Sequence, residues 1–212
     1  MRKLFTFVLL LAPAFNFTAA QKEDPFKGIR DEKVLPMLKH LPYRHGGMNV
    51  PASDGRLLYD IIKKHGYKKG LEIGTSNGYS ALWLGLAFKE TGGKLITIEI
   101  EPQRAREARE NFKHAGLDDV IESRVNDALR EIPYLQGPFD FVFIDAWKPD
   151  YEKYLKLVLP KMKPGGVITA HNVASEGGSM KGFLEEIHNN PHLETTIDRR
   201  NRAGVSISYV KK

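Results

Sequence analysis

From Ser53 onward, short apolar runs alternate with helical patterns, and that alternation restricts the chain to very few architectures. The runs expected as strands are Lys69–Gly74, Leu95–Ile100, Val120–Val125, Phe139–Asp145 and Gly166–Ala170, the last following a Pro164-Gly165-Gly166 turn. Helical spacing places Leu57, Leu58, Ile61 and Ile62 on one stripe, which Gly66 is suited to stop. Further helices are expected at about Gly78–Lys89, Pro102–Ala115, Asp150–Lys161 and Ser179–Asn189, with Ala105, Ala108, Phe112 and Ala115 on one side of the second. Nothing is assigned between the third and fourth strands. Two late strands, His192–Ile197 and Val205–Val210, have only Asp198–Gly204 between them and should form an antiparallel hairpin.

Strands and helices at this spacing predict an α/β fold: a Rossmann-like, doubly wound, mostly parallel seven-stranded sheet that ends in the antiparallel hairpin. At 212 residues the chain suits one such domain, expected over residues 48–212. Residues 21–47, polar and punctuated by Pro25, Pro36 and Pro42, read as an N-terminal arm with one helix around Asp31–His40. The first twenty residues have a separate character. A basic start, an apolar run from Leu4 to Phe15 and the small residues Thr18-Ala19-Ala20 have the layout of a bacterial signal peptide, cleaved after residue 20. The expectation is export to the periplasm or beyond, with an uncleaved anchor or a buried helix as the alternatives. No later segment is apolar enough to cross a bilayer, so no membrane span remains once the leader is removed. Arg2 and Lys3 fall in that leader, so the formal net charge of +6 drops to +4 on the mature chain. The rest is dispersed through mixed-sign helices such as Arg104–Glu110, a solvated pattern that argues against nucleic acid as a partner. With no Cys, disulfides, thiolate metal sites and a lipoprotein anchor are excluded.

The stretch Leu71-Glu72-Ile73-Gly74-Thr75-Ser76-Asn77-Gly78-Tyr79-Ser80 reads as strand, glycine turn and helix start. In that arrangement the backbone approaches a ligand closely and helix N–H groups point at it. Dinucleotide folds use Gly-x-Gly-x-x-Gly, whereas this turn is Gly-x-x-x-Gly, preceded by an acid and without a Walker lysine. Glu99 closes the second strand, 21 residues after Gly78, where a carboxylate can accept both hydroxyls of a ribose. Together these features favour an adenosyl-type ligand over NAD.

The motif Glu72–Ser80 resembles the first motif of the class I methyltransferases, in the form used by the catechol and caffeoyl-CoA O-methyltransferase family. The resemblance runs from about Met48 to Val210. It includes Asn49-Val50-Pro51, Asp127-Ala128 and, most specifically, Phe143-Ile144-Asp145-Ala146-Trp147-Lys148-Pro149-Asp150-Tyr151. It implies S-adenosylmethionine as cofactor and transfer of its methyl group to an oxygen of a small hydroxylated acceptor. By the same resemblance, Gly74 and Gly78 admit the methionine part, with Glu72 and Val50 nearby. Ser80 and the Tyr79 backbone bind its carboxylate, Glu99 holds the ribose, Asp127 and Ala128 lie near the adenine, and Asp145 and Trp147 stand against the cofactor. For Trp147 simple packing in a cleft stays open. A homodimer is implied only by the resemblance.

At the reacting end the family holds a divalent cation with an Asp after the fourth strand and an Asp-Asn pair after the fifth, and a Lys three residues beyond the first Asp serves as base. Asp145 and Lys148 match. The fifth strand ends Thr169-Ala170-His171-Asn172, so His171 replaces the second Asp. An imidazole in place of a carboxylate moves a site of Asp145, His171 and Asn172 away from Mg²⁺ and toward Mn²⁺, Zn²⁺ or Fe²⁺. Three readings of His171 stay open: ligand to such a metal, metal-free base or orienting group, or structural residue. A cell-envelope protein that binds the nucleoside without transferring a methyl is the rival to an enzyme. A nucleic-acid or protein methyltransferase lacks any target-binding insertion. The stretches Asp24–Val50 and Ala174–Lys181, expected to choose the acceptor, carry no readable code, although the family likeness points to a catechol or another vicinal dihydroxy aromatic.

Overall fold

The structure, a computed structural model, describes residues 24–41, 49–174 and 178–212. The leader read in residues 1–20 lies outside the described residues, as do 42–48 and 175–177 of the two stretches expected to choose the acceptor. Seven strands form one sheet: β1 (Lys69–Ile73), β2 (Lys94–Glu99), β3 (Ile121–Val125), β4 (Phe139–Ile144), β5 (Met162–His171), β6 (Leu193–Asp198) and β7 (Val205–Val210), in the order β3-β2-β1-β4-β5-β7-β6. The pairs from β3 to β5 are parallel, and β7 is antiparallel to both β5 and β6. The expected fold class and its terminal hairpin are therefore present.

The strand order reverses between β1 and β4. The chain winds outward from β1 through β2 to β3, then returns to the other side of β1 and continues to β5. The helices that follow β1 and β4 pack on opposite faces of the sheet, and a crevice opens at this point, the position where open α/β sheets bind ligands.

Two apolar layers hold the helices to the sheet. One gathers Leu58, Ile62, Trp83, Phe88 and Phe112 against Leu95, Phe141 and Val167, so it packs α2 (Ala52–His65), α3 (Tyr79–Thr91) and α4 (Pro102–His114) on one face. The other gathers Ile132, Leu155, Phe183 and Ile187 against Leu71, Val142 and Ile168, beneath α5 (Ala128–Glu131), α6 (Tyr151–Val158) and α7 (Lys181–Asn189). A strand buried on both faces is mostly apolar, and all six residues of β4 are buried; its one acid, Asp140, accepts the N–H groups of Lys68 and Lys69 and pairs with Lys163.

Every residue of α3 from Tyr79 to Phe88 is buried, which a helix with only one neighbour could not achieve. Its outer side is covered by α2 and by the arm, whose helix α1 spans Val34–His40. Phe26 stacks on Trp83 at 5.7 Å, Arg56 donates to the carbonyls of Pro25 and Lys27, and Asp31 pairs with Lys89 at 2.9 Å. Asp31 also accepts the N–H groups of Lys33 and Val34, which explains why α1 begins just after it.

Three local expectations change. The unassigned stretch after β3 contains α5 and a 3₁₀ turn, Ile132–Tyr134, whose apolar residues are too few to show a period. Helix α6 ends at Val158, where Pro160 converts the last turn to 3₁₀. The fifth strand starts at Met162 rather than at Gly166, because the Pro164-Gly165-Gly166 segment is an irregularity within the strand, between the Phe139–Met162 and Phe141–Val167 pairs. Among the described residues no helix is long and apolar enough to cross a membrane.

Candidate active site

The crevice is a cavity of about 700 Å³ at the carboxyl ends of the parallel strands. Of the residues marked by the sequence, Val50, Gly74, Tyr79, Ser80, Glu99, Asp127, Ala128, Asp145, Trp147, Lys148, His171 and Asn172 all line it. They come from loops after β1, β2, β3, β4 and β5 and from the approach to α2, so only the fold brings them together.

The floor is the turn after β1. Gly74 has φ +99, and a Cβ there would lie 2.2 Å from the Asp145 carbonyl oxygen; the two loops leaving β1 and β4 touch at this glycine. Ser76 also has positive φ, 49°, and its N–H donates to Glu99 Oε2 at 2.7 Å. The N–H of Glu101 donates to Glu99 Oε1 at 3.0 Å. The carboxylate that closes β2 is thus clamped in one orientation by two backbone donors, and each oxygen keeps a lone pair to offer into the cavity.

Three of the residues assigned to the cofactor by resemblance are held by other parts of the protein. Glu72 is fully buried and does not reach the cavity; its Oε2 accepts from the Thr97 hydroxyl at 2.6 Å, which in turn meets the Thr75 hydroxyl at 2.5 Å. It supports the turn from beneath, through Thr75. Burial raises its pKa to about 8, against the opposing hydroxyls of Ser80 and Thr97. Gly78 has φ +87, and a Cβ there would lie 2.6 Å from the Phe112 ring, so the backbone and α4 both require a glycine at this position. The Tyr79 N–H, expected to bind a carboxylate, donates to Asn77 Oδ1 at 3.1 Å, and Asn111 holds the Asn77 carbonyl from α4. Ser80 remains on the cavity wall, in the first turn of α3, where the helix dipole favours an anion.

The far side is the rim. Trp147 is 69% exposed and Ile100 is 63% exposed, and both line the cavity. An apolar pair left this open at a cleft mouth is suited to a flat ring. Asp127 caps α5 by accepting the Leu129 N–H at 2.8 Å, which fixes the loop after β3. Ile100, Arg104 and Asn126 were not marked by the sequence; the first is signalled only by following the strand-closing acid.

At the inner end, Lys148 Nζ lies 3.4 Å from Asp145 Oδ1. The other Asp145 oxygen lies 3.5 Å from His171 Nδ1, and His171 Nε2 lies 3.1 Å from Asp54 Oδ2. Asp54, in the first turn of α2, also accepts from the Asn201 side-chain amide. His171 is 5% exposed and Asp54 is 3% exposed. Burial alone would lower the histidine pKa, but Asp145 and Asp54 outweigh it and raise the value to about 9. Asp54 escaped sequence reasoning, although one signal was available: it lies four residues before Leu58, on the apolar stripe of its helix.

These residues do not fit the metal considered from the sequence. Both nitrogens of His171 face carboxylate oxygens, so a lone pair for Mn²⁺, Zn²⁺ or Fe²⁺ would come only at the loss of one of these contacts, and the oxygens of Asp145 already face Lys148 and His171. Among the described residues no group of three acidic or histidine side chains is arranged to hold a metal ion.

The chain is similar to known O-methyltransferases in sequence and fold. The model of the O-methyltransferase family matches residues 28–202. The chain is 37% identical over 157 residues to a catechol O-methyltransferase of Niastella koreensis, covering 71% of this chain and 70% of the relative. It is also 37% identical over 178 residues to a catechol O-methyltransferase of Mycobacterium tuberculosis, with 76% and 80% covered. Among solved structures it superposes on an O-methyltransferase from Bacillus cereus in complex with SAH, with a TM-score of 0.75 and 28% identity over 87% of this chain and 94% of that one. It superposes similarly on TomG of Streptomyces achromogenes in complex with SAM, with a TM-score of 0.73, 28% identity, and 86% and 91% covered.

Proposed function

The chain belongs to the O-methyltransferase family, and from that premise we propose that it transfers a methyl group from S-adenosylmethionine to a hydroxyl of a small aromatic acceptor that carries vicinal hydroxyls. One observation carries the cofactor reading: Glu99 is held at the cavity wall by the N–H groups of Ser76 and Glu101, with its remaining lone pairs free to accept the two hydroxyls of a ribose. The bound complexes of the Bacillus cereus and Streptomyces achromogenes relatives support it.

In this reading Ile100 and Trp147 receive the adenine, Asp127 and Ala128 bound its edge, and Ser80 with the first turn of α3 receives the amino-acid end. Gly74 lets the floor approach closely. Bound there, the cofactor supplies an electrophilic methyl carbon on a sulfonium. The chain must hold an acceptor oxygen in line with that carbon and remove its proton as the new bond forms. Asp145 and Lys148 stand at the inner end of the same cavity. Asp145 orients the acceptor hydroxyl; Lys148 first releases its own ammonium proton to water and, as the free amine, takes the proton of the acceptor. Lys148 is 35% exposed, so the proton can pass on to water at the open side. The vicinal-dihydroxy preference rests on the two catechol O-methyltransferase relatives.

Methyl-labelled S-adenosylmethionine and a panel of catechols and their monohydroxy analogues test the reading. Label should pass to the catechols first. Equal labelling of the monohydroxy compounds would refute the acceptor class, and label left on the cofactor with every acceptor would refute transfer to a hydroxyl of this kind.

A further inference from the structure

His171 stands between two carboxylates on different elements: Asp54 on α2 beside its Nε2, and Asp145 after β4 beside its Nδ1. An ionised carboxylate only accepts. A neutral imidazole carries one N–H, so one of the two contacts would set a lone pair against a carboxylate oxygen in a site almost closed to water. Both contacts are favourable only when both nitrogens carry protons.

The surroundings keep the ring in that state. Asp54 is fixed from its other oxygen by Asn201, which reaches over from the β6–β7 connection and also donates to the Ser53 hydroxyl. The Asp145 oxygen that His171 leaves free faces Lys148. Tyr151 donates to the His171 carbonyl at 3.3 Å and anchors the end of β5. Two carboxylates are thus balanced by an imidazolium and an ammonium. A divalent ion entering this cluster would have to expel a proton from His171 and displace Lys148 before it gained a ligand, and buried charges left without their partners are costly.

We propose that the His171 imidazolium does the work of a resident metal ion in this enzyme: it ties Asp54 to Asp145, holds Asp145 toward the acceptor, and makes the site independent of divalent cations. His171 is then a positioning residue. The inference rests on the proposed methyl transfer for its purpose but not for its chemistry.

The test uses the full chain and two probes. Mn²⁺ is titrated into the wild type, with and without S-adenosylhomocysteine (SAH), and followed by the electron paramagnetic resonance of free Mn²⁺. Long-range ¹H–¹⁵N spectra near pH 7, with the His171 signals identified by their loss in His171→Asn, report its ring nitrogens. The expected result is no loss of the free-Mn²⁺ signal and two protonated nitrogens on His171. One equivalent of Mn²⁺ taken up by the wild type and lost in His171→Asn, or one bare nitrogen on His171, would overturn the proposal. His171→Asp, which restores an acidic pair, should take up Mn²⁺ where the wild type does not; if that variant does not fold, the wild-type measurements decide alone. Failure of the wild type to bind SAH would count against the cofactor reading and leave the nitrogen result standing, so the two can fail separately.

Discussion

His171 Nε2 and Asp54 Oδ2 lie 3.1 Å apart and join the end of β5 to the first turn of α2 across 117 residues of sequence. The contact closes the inner end of the cavity and couples the helix that covers α3 to the strand that ends at the reacting groups. The stability of the domain and the geometry of its site therefore share one ion pair.

Removing one member of a buried pair leaves the other charge uncompensated. Asp54→Ala should lower unfolding stability by about 3 kcal/mol, measured by urea denaturation at neutral pH. A loss no larger than that of an exposed control such as Asp60→Ala would contradict the pairing.

The same pair gives stability a pH dependence of definite sign. The folded-state pKa of His171 is raised to about 9, so its contribution is complete below the unfolded value near 6.5 and is lost as pH rises through 9. Glu72, raised to about 8 by burial, acts in the same direction, because the fold holds its proton more tightly than the unfolded chain does. Unfolding free energy should fall by roughly 2–4 kcal/mol between pH 6.5 and 9.5. Urea titrations that show constant or rising stability over that window would contradict both assignments.

Trp147 is exposed and makes little of the core. Trp147→Ala should leave stability within about 0.5 kcal/mol of wild type. It should weaken SAH binding roughly threefold to tenfold, the worth of one aromatic stack. Unchanged affinity would reduce Trp147 to a surface packing residue.

Lys148→Met keeps the length of the side chain and removes its base. Turnover with the best catechol should fall by roughly 10²–10⁴-fold, while SAH affinity stays near the wild-type value. Single-turnover rates close to wild type would remove Lys148 from the proton transfer.

The sequence exposed the parts of this molecule that local patterns govern. Runs such as Phe139–Ile144 and the stripe ending at Gly66 report burial and helix termination directly, since each depends on neighbours in the chain. The strand-closing Glu99 and the turn at Gly74 were legible because strand, turn and acid follow one another in order. Asp54 and Asn201 were not, because their partners lie far away in sequence and the one local sign, the place of Asp54 on the apolar stripe of its helix, says nothing of a partner. Gly78 shows a different limit. A motif predicts that a glycine is needed, but only the structure shows that its left-handed backbone and the packing of Phe112 from α4 require it. The role of His171 was open for a similar reason: a histidine at a strand end looks the same in sequence whether its nitrogens face a cation or, as here, two carboxylates.

Calorimetric titration of the purified protein with SAH tests the central claim most directly. Binding of one SAH per chain is expected, and Glu99→Ala should lose roughly tenfold to a hundredfold in affinity, the range of a hydrogen bond to a charged group, with the fold intact by circular dichroism. No heat of binding from folded wild-type protein with either SAH or S-adenosylmethionine would contradict it.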